Sequence, residues 1–584
     1  MNIQFTGSDA QGFRVDLGGS KPKKEKKPRK GIGTPAARIA VNLAVTLVVG
    51  LIYFYVNLPA INLHAEEFYG FVFLLCLVYC GCALLTSGFQ GTGAKGYFNF
   101  VKKQCKIPFF LVIALVLTAF VGALSSWVVF RADAYQKLLS VEPGEFAVDV
   151  NEISYDQIPM LDRDSAMKLG DRKLGELADM VSQFEVADDY TQINYQGRPV
   201  RVTPLRYGDI IKWFNNRAEG LPAYLVIDMV TQNVEVVRLR NGGIKYTTAE
   251  HFSRNLYRHL RFHYPTMMFE EPVFEIDEEQ MPYWVCAKRE KTIGLFGGTD
   301  NHGAVLVNAL TGECQYYEEV PSWVDHVYSA DLILEQYDYH GQYHNGFWNS
   351  IFGQRDVTVT TRGYNYLVKG DDVWLYTGVT SVGGDESNIG FLLSDQRTKE
   401  THYYAVAGAE EYSAMDSAQG QVQHLNYVAT FPLLLNVADQ PTYFMALKDA
   451  ARLVKMYAMV NVSQYQIVAT GATVMECEQN YRRMLMQSGL IRSEQADVAP
   501  SEEESETYES TGVIDEIRSA VIDGNSVYYL YLRVGEDNAC TIFRINASRI
   551  PVATLLSPGD EVTVFYRDTD VGQYWIDVRE IGLV

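Results

Sequence analysis

Three apolar segments near the N-terminus constrain this chain more than any other feature of its sequence. Residues 36–58 carry one charge, Arg38, close to their start, and residues 68–86 and 108–130 carry none. Each segment has about 20 residues, the length of helix that crosses a hydrocarbon core of about 30 Å. Three buried core helices of a soluble protein are the alternative, but so dense a run of uncharged residues argues against them. The sequence therefore predicts three transmembrane helices within residues 36–131.

The cations around these segments are distributed unevenly. The loop between the second and third segments has Lys95, Lys102, Lys103 and Lys106, whereas residues 59–67 have no Lys or Arg. The N-terminal tail, residues 1–35, contains a cluster of seven cations: Lys21, Lys23, Lys24, Lys26, Lys27, Arg29 and Lys30. Because cytoplasmic segments carry the excess of Lys and Arg, we expect a multi-pass plasma-membrane protein with a cytoplasmic N-terminus and an extracytoplasmic C-terminal region. The cluster sets this topology, and the same charges can also bind anionic lipid headgroups.

Charge separates the chain into two parts. The 584 residues hold 50 Lys and Arg against 71 Asp and Glu, a net charge of −21. Residues 1–131 hold 14 of these cations and 5 of these anions, so the rest of the chain is strongly acidic. An acidic region argues against nucleic acid as a partner, because binding to phosphates requires a basic surface. Hydrophobic residues make up 47% of the chain, which argues against a mostly disordered protein.

The third apolar segment has small residues at steps of four: Ala114, Thr118, Gly122 and Ser126. Such a ridge lets another helix approach closely. We expect it to pack within the three-helix segment, and a homo-oligomeric contact is the alternative. Asn42 is the one strongly polar residue well inside a predicted span, and no Asp, Glu, Lys or Arg lies at membrane depth. This argues against a transporter that works alone.

The remaining residues predict a membrane-anchored α+β protein with several parts. Residues 132–205 are expected to form a mainly helical connecting region. Residues 206–493 show repeated hairpin patterns with a few helices, including hairpins at 304–317 and 390–404 and a helix at 410–424. Three extended runs there begin alike, at Pro222-Ala-Tyr224, Pro282-Tyr-Trp284 and Pro441-Thr-Tyr443. Residues 494–510 form an acidic linker, and residues 511–584 contain five short strand patterns, typical of a small β-barrel that resembles an OB-fold.

The exported region resembles known families. The strand–Thr-Gly-Glu–strand unit at residues 305–316, with an Ala-rich helix elsewhere, resembles PepSY-type modules. Further blocks resemble a poorly characterised family of bacterial multi-pass membrane proteins; they lie at residues 274–278, 292–294, 320–325, 376–381, 385–387, 429–432 and 441–455. The resemblance covers residues 156–481. It implies an envelope protein with a large exported α+β domain, and it carries over no catalytic residue.

Two motifs with known chemistry fail on their context. Residues 91–96 match the glycine pattern of dinucleotide-binding loops, but they lie between two apolar segments with no strand before them. Ser165 and Lys168 match the SxxK motif, in which a lysine deprotonates a serine, but the companion motifs of that enzyme class are missing. The pattern is also common on polar helices, so Ser165 is expected to have a structural role.

Candidate metal ligands are weak in the sequence. His340 and His344 lie four residues apart with Asp338 nearby, but Gly341 and the aromatic spacing predict a loop rather than a zinc site. His259 and His263 have the same spacing and are better explained as a basic, aromatic helix face. Residues 385–386, two adjacent carboxylates, are expected to form a solvated turn rather than a calcium or acid–base site. The eight cysteines include no CxxC pair outside the membrane region, so no disulfide framework is predicted.

We therefore expect no catalytic residue, cofactor or metal. The chain is predicted to be a non-enzymatic, membrane-anchored extracytoplasmic binding or scaffold protein in cell-envelope assembly or quality control. Its expected partners are the lipid bilayer and other envelope or membrane proteins. Two alternatives stay open: an extracytoplasmic hydrolase or protease regulator whose site the motifs do not reveal, and an accessory subunit of a membrane transporter.

Overall fold

The chain forms two compact units in a computed structural model, Met1–Cys477 and Glu478–Val584. The structure describes residues 33–88, 94–150, 152, 158–240, 242–383, 387–491, 507–522, 525–534, 539–547, 550–567 and 575–583. Four features of the sequence lie outside these residues wholly or in part: the seven clustered cations of the tail, the first half of the glycine-rich motif at 91–96, the carboxylates at 385–386 and most of the predicted linker. The last residues of that predicted linker belong to a strand that begins at Thr507.

Three helices of the first unit are long and apolar enough to cross a membrane. They are α1 (Pro35–Asn57), α2 (Glu66–Ser87) and α4 (Lys106–Ser125), with a shorter helix α3 (Ala94–Gln104) before the last of them. This confirms three apolar helices of membrane-spanning length at the predicted positions. The third ends earlier than predicted, because the chain leaves the helical conformation at Trp127 before α5 (Val128–Gln136) begins.

One hydrogen bond joins the first two spans. Thr86 Oγ1 on α2 donates to Asn42 Oδ1 on α1 at 3.0 Å, and both residues are buried. Asn42 lies near the start of α1 and Thr86 near the end of α2, so the contact fits an antiparallel pair. The polar residue singled out in the sequence thus has a partner on the neighbouring helix, as a polar side chain at membrane depth requires.

The small-residue ridge on α4 has two different surroundings. Ala114 and Thr118 are exposed, whereas Gly122 and Ser126 are buried. A Cβ atom added at Gly122 would lie 2.6 Å from Leu295 Cδ2, and Ser126 Oγ accepts hydrogen bonds from the backbone N–H groups of Leu295 and Phe296 at 2.9 Å each. The end of the ridge therefore packs against a hairpin tip of the sheet-rich region rather than against another span.

A short segment and four sheet modules follow α5 in the first unit. The segment contains β1 (Glu142–Gly144) and α6 (Phe146–Asp149). Module 1 contains α7 (Arg163–Gly175), β2 (Phe184–Val186), β3 (Thr191–Tyr195), β4 (Arg198–Tyr207), α8 (Ile210–Asn216), β5 (Ala223–Asp228) and β6 (Val234–Arg238). Module 2 contains α9 (Leu256–His263), β7 (Met268–Phe269), β8 (Val273–Ile276), β9 (Pro282–Ile293), β10 (Gly297–Asn308) and β11 (Cys314–Tyr317).

The other two modules have the same general composition. Module 3 contains α10 (Ala330–Tyr343), β12 (Thr358–Thr360), β13 (Asn365–Lys369), β14 (Asp372–Ser381), β15 (Ser387–Asn388), β16 (Gly390–Asp395) and β17 (Thr401–Tyr404). Module 4 contains β18 (Gly408–Ala409), α11 (Glu411–Gln421), β19 (Val428–Ala429), β20 (Leu433–Val437), β21 (Gln440–Lys448), β22 (Val454–Asn461) and β23 (Val468–Gly471), and α12 (Val474–Gln487) follows it.

Each module is built around an antiparallel sheet. The strand orders in modules 1 to 4 are β2-β4-β5-β6, β11-β10-β9-β7, β1-β17-β16-β14-β12 and β19-β21-β22-β23. One more strand pairs within each sheet: β3 with β4, β8 with β9, β13 with β14 and β20 with β21. The exception is β1, which pairs with β17 in parallel. The structure is thus a mixed α+β protein in which three apolar helices precede a sheet-rich region.

Three of the hairpins close with the same turn chemistry. Asp228, Asn308 and Asp395 each end a strand, and in each the side-chain Oδ1 accepts from the backbone N–H groups two and three residues later. The fifth turn residue has a positive φ in all three: Gln232 (61°), Gly312 (77°) and Lys399 (66°). An Asp or Asn side chain that mimics a backbone turn stabilises such a reversal. The same turn thus closes one hairpin in each of modules 1, 2 and 3.

Two parts of the first unit differ from the sequence-based expectation. The region predicted at 132–205 as mainly helical contains β1 and, from Phe184 onward, the strands β2, β3 and β4. Gln196 and Gly197 both take positive φ, which reverses the chain and lets β3 pair with β4. The loop predicted at His340 is helix α10. Gly341 lies inside α10, where a Cβ atom would approach Thr358 O to 2.3 Å, so glycine permits close packing on β12 rather than a turn.

The core of modules 1 and 2 is shared. Tyr224, Phe274 and Trp284 are fully buried and contact one another edge to face, with ring centroids 5.9 and 5.3 Å apart. The Tyr224 hydroxyl donates to Gln280 O at 2.8 Å, which satisfies its polar end. Such a continuous aromatic core fixes the two modules against each other.

The described residues of the second unit form six strands in one sheet. They are β24 (Thr507–Ile522), β25 (Asn525–Val534), β26 (Ala539–Asn546), β27 (Glu561–Arg567), β28 (Ile576–Asp577) and β29 (Glu580–Leu583), in the order β28-β26-β25-β24-β27-β29. Its core contains Leu530, Phe543 and Val564. The last of the five strands predicted from the sequence is divided in the structure into two short strands, β28 and β29. The resemblance to an OB-fold stays a prediction.

Candidate functional site

Two cavities between modules of the first unit share part of their walls. Their volumes are about 500 and 260 Å³. Four residues line both of them: Tyr190, Arg201, Tyr364 and Tyr366. Modules 1 and 3 supply these shared residues, and module 4 closes the larger cavity with Phe431, Phe444 and Met445. We refer to the larger cavity as the Arg201 cavity.

Arg201 is the unusual residue of this site. It lies on β4, and only 8% of its surface is exposed. Nη2 donates to Gln192 Oε1 at 3.3 Å, and Nε is buried without a hydrogen-bond partner. Burial lowers the pKa of the guanidinium to about 10, so the group keeps its charge at neutral pH. Among the residues that the structure describes, Arg201 forms no ion pair.

The other charges that line the Arg201 cavity have partners. The Asp162 carboxylate pairs with Lys448. Burial raises the pKa of this carboxyl, but the hydrogen bonds from Lys448 and Ser165 outweigh burial and leave the pKa below its usual value. Asp164 pairs with Arg452 at 3.2 Å. Both carboxylates line the cavity and pair with other cations, and the charge of Asp162 acts on Arg201 without a direct contact. Among the described residues Arg201 therefore has no carboxylate at ion-pair distance, which is costly for a buried cation.

The walls around Arg201 combine phenols with apolar groups. The Tyr190 hydroxyl is buried without a hydrogen-bond partner in the described part of the chain, and burial raises its pKa, so it stays protonated. Tyr364 is 38% exposed and lines both cavities. A guanidinium and a phenol donor beside Phe431 and Phe444 can bind a carboxylate on an apolar body.

A second polar cluster borders the smaller cavity. Glu275 is fully buried; its Oε1 is 3.0 Å from His326 Nδ1, and its carboxylate accepts from the backbone N–H groups of Asp325 and His326. Asp325 accepts from the Asn194 N–H at 2.7 Å, and its Oδ1 has no partner among the described residues. Burial, and then the charge of Glu275, raise the pKa of Asp325 well above its usual value. His326 itself lines the smaller cavity.

The candidate residues from the sequence take other positions. Ser165 is buried, and its hydroxyl donates to the backbone oxygen of Arg452 at 3.1 Å, a structural contact. His340 lies on α10 with Nδ1 3.2 Å from Gln136 O, and Asp338 Oδ1 accepts from the N–H and hydroxyl of Thr360. The structure does not bring Asp338, His340 and His344 together as one metal-binding group.

One triad of potential metal ligands does occur among the described residues. It joins His259 and His263, which the sequence analysis assigned to a basic helix face, with Cys314. Sequence reasoning missed this partner because Cys314 is about 50 residues away, at the start of a strand in the same module. It also missed Arg201, because a single Arg between Val200 and Val202 is typical of the polar face of an ordinary strand.

Comparisons with known proteins add little. No family model matches the chain, and no curated protein matches it. Among solved structures, the crystal structure of yeast Stn1 and Ten1 matches 13% of this chain with 12% sequence identity and a TM-score of 0.11. The match covers 42% of that structure's chain. A likeness of this size carries no argument about fold or function.

Proposed function

We propose that this protein is a membrane-anchored extracytoplasmic binding protein, and that the Arg201 cavity holds a carboxylate of a peptide or protein partner. The observation that carries the proposal is the buried, unpaired Arg201 in a cavity of about 500 Å³. A carboxylate ligand would supply the missing anion, and the aromatic walls would bind its apolar part. Such binding fits a role in cell-envelope assembly or quality control.

The proposed orientation rests on the Lys and Arg residues around the spans. The ends of α1 and α4 and the start of α2 contact the sheet-rich region, through His64, Ser126 and Arg261. With the basic tail in the cytoplasm, the modules are extracytoplasmic. In intact cells a membrane-impermeant thiol reagent should label Cys540, which is exposed. Gly19→Cys in a Cys540→Ser background should label only after lysis, and the reverse pattern would contradict the orientation.

Site-specific photocrosslinking tests the cavity. A photoreactive amino acid at Tyr364, at the cavity, should form an adduct in intact cells, and one at the exposed Tyr465 is the control. Arg201→Gln should reduce the Tyr364 adduct about tenfold or more, because a hydrogen bond to a charged group contributes about 1.5–3 kcal/mol. An adduct of equal yield in Arg201→Gln would contradict the proposal.

A second candidate function is an extracytoplasmic hydrolase. The observation that favours it is the Glu275–His326 pair at the smaller cavity, where a buried carboxylate orients an imidazole as in many general-base sites. His326→Gln separates the two functions. A hydrolase would lose activity by about 10²-fold or more, whereas a binding protein would keep the Tyr364 adduct described above.

A further inference from the structure

A histidine pair and a cysteine meet at the edge of module 2, away from the Arg201 cavity. His259 and His263 lie four residues apart on α9, and Cys314 is the first residue of β11. One ligand atom from each of the three lies within 4.8 Å of the others. We propose that His259, His263 and Cys314 bind a zinc-class transition-metal ion that links α9 to the β10–β11 hairpin.

The local fold holds the three side chains together. Residues four apart on a helix share one face, and the two imidazole centroids are 4.3 Å apart. The Gly312 carbonyl oxygen lies 2.7 Å from His259 Nε2 and 3.4 Å from Cys314 Sγ, so one carbonyl brings the imidazole and the thiol into proximity. Gly312 takes φ +77°, and a Cβ atom there would lie 2.4 Å from the Tyr246 ring. Only glycine fits this turn.

The distances suit a small tetrahedral site. Metal–nitrogen and metal–sulfur bonds of about 2.0–2.3 Å place two ligand atoms about 3.3–3.8 Å apart. The present separations of at most 4.8 Å therefore need only a small closure. His263 Nδ1 is 2.8 Å from His259 O, a backbone contact that orients the ring. Contacts of this kind are usual around metal-bound histidines.

The donor set selects the class of ion. Two imidazoles and one thiol favour borderline or soft metals such as Zn²⁺ over Mg²⁺ or Ca²⁺, which prefer oxygen ligands. Burial lowers the pKa of His259, which keeps the imidazole neutral as a ligand must be. Burial raises the pKa of Cys314 to about 11, so the metal-free thiol is protonated at neutral pH and metal binding must displace that proton. Three protein ligands would leave a fourth position of a tetrahedral ion for water or another ligand.

The site also has a place in the architecture. Arg258 and Arg261 on the same helix donate to the backbone carbonyls of Tyr55 and Leu58 at 3.1 and 2.9 Å, at the end of the first span. A metal bound on α9 would therefore stiffen the junction between this span and the sheet of module 2.

Cobalt titration of the purified full-length protein in detergent, under reducing conditions, tests the proposal. Co²⁺ bound by a thiolate and imidazoles gives a near-ultraviolet thiolate charge-transfer band, and Zn²⁺ should displace it. Cys314→Ser and His263→Gln should each weaken binding about tenfold or more, with Cys314→Ser also removing the thiolate band. The double control His424→Gln/Cys540→Ser changes an exposed imidazole and an exposed thiol elsewhere, and it should leave the titration unchanged.

The outcomes separate this site from other thiols of the chain. A band that survives in Cys314→Ser would assign the cobalt to different cysteines and overturn the proposal. Failure to bind Co²⁺ at all would also overturn it. His263 is exposed, so His263→Gln should fold normally and keep the test valid if Cys314→Ser is unstable.

Discussion

Ser126 connects the third span to the sheet-rich region by hydrogen bonds, and Ser126→Ala should destabilise this contact. Ser126 Oγ accepts from the backbone N–H groups of Leu295 and Phe296 at 2.9 Å each. Alanine leaves both donors without this partner. A buried unsatisfied donor costs about 1–3 kcal/mol, and water can reach these half-buried residues in part, so we expect a total of about 2–3 kcal/mol.

Hydrogen exchange measures this cost directly. Amides in a peptide covering residues 293–298 should exchange roughly 30- to 150-fold faster in Ser126→Ala, because local opening becomes easier by the same free energy. Ser125→Ala is the matched control. Ser125 Oγ and Ser126 Oγ each donate to Gly122 O at 2.8 Å, but among the described residues Ser125 Oγ accepts no hydrogen bond from the hairpin. Equal exchange in the two variants would refute the reasoning.

Three further perturbations test other contacts. Thr86→Val should destabilise the α1–α2 pair by about 0.5–1.5 kcal/mol, measured by unfolding in mixed micelles. The control Thr46→Val loses only a hydrogen bond to the Asn42 carbonyl in the same helix, so it should have a smaller effect. The raised pKa of Asp325 means that the folded protein keeps a proton that the unfolded chain releases above about pH 4. Asp325 therefore destabilises the fold increasingly as the pH rises. In urea unfolding, the midpoint of Asp325→Asn should exceed that of the parent protein by more at pH 8 than at pH 4. Arg201→Met removes an unpaired buried cation and should raise the thermal midpoint of ligand-free protein by roughly 2–4 °C; a fall would show that Arg201 is already satisfied.

The sequence predicted the spans well because their signal is local. Length and lack of charge decide them, and the starts of all three agree with the structure to within about two residues, inside the usual uncertainty of helix ends. The helix predicted at 410–424 is α11 (Glu411–Gln421), for the same reason. Local glycine signals were less dependable. Gly341 marks close helix–strand packing, whereas Gly197 marks a hairpin.

The candidate sites could not be predicted because they depend on contacts between distant residues. Arg201 is unusual only through its surroundings, which come from modules 1, 3 and 4. The Cys314 thiol joins His259 only after α9 and the β10–β11 hairpin have packed together. The repeated turns at Asp228, Asn308 and Asp395 were visible in part, as an Asp or Asn followed three residues later by Thr. That shared spacing was the available signal for the modular order.

The pairing of β1 with β17 has a consequence for the order of folding during synthesis. The sheets of modules 1 and 2 consist of strands close in sequence, so each can form soon after its residues emerge. Strand β1 follows α5, soon after the spans, but it can pair only once β17 has been made. The Lys399–Leu138 hydrogen bond near β1 bridges 261 residues. Until module 3 is complete, β1 lacks the strand with which it pairs. A ribosome stalled before residue 401 should therefore leave residues 142–144 open to protease, and release of the full chain should protect them.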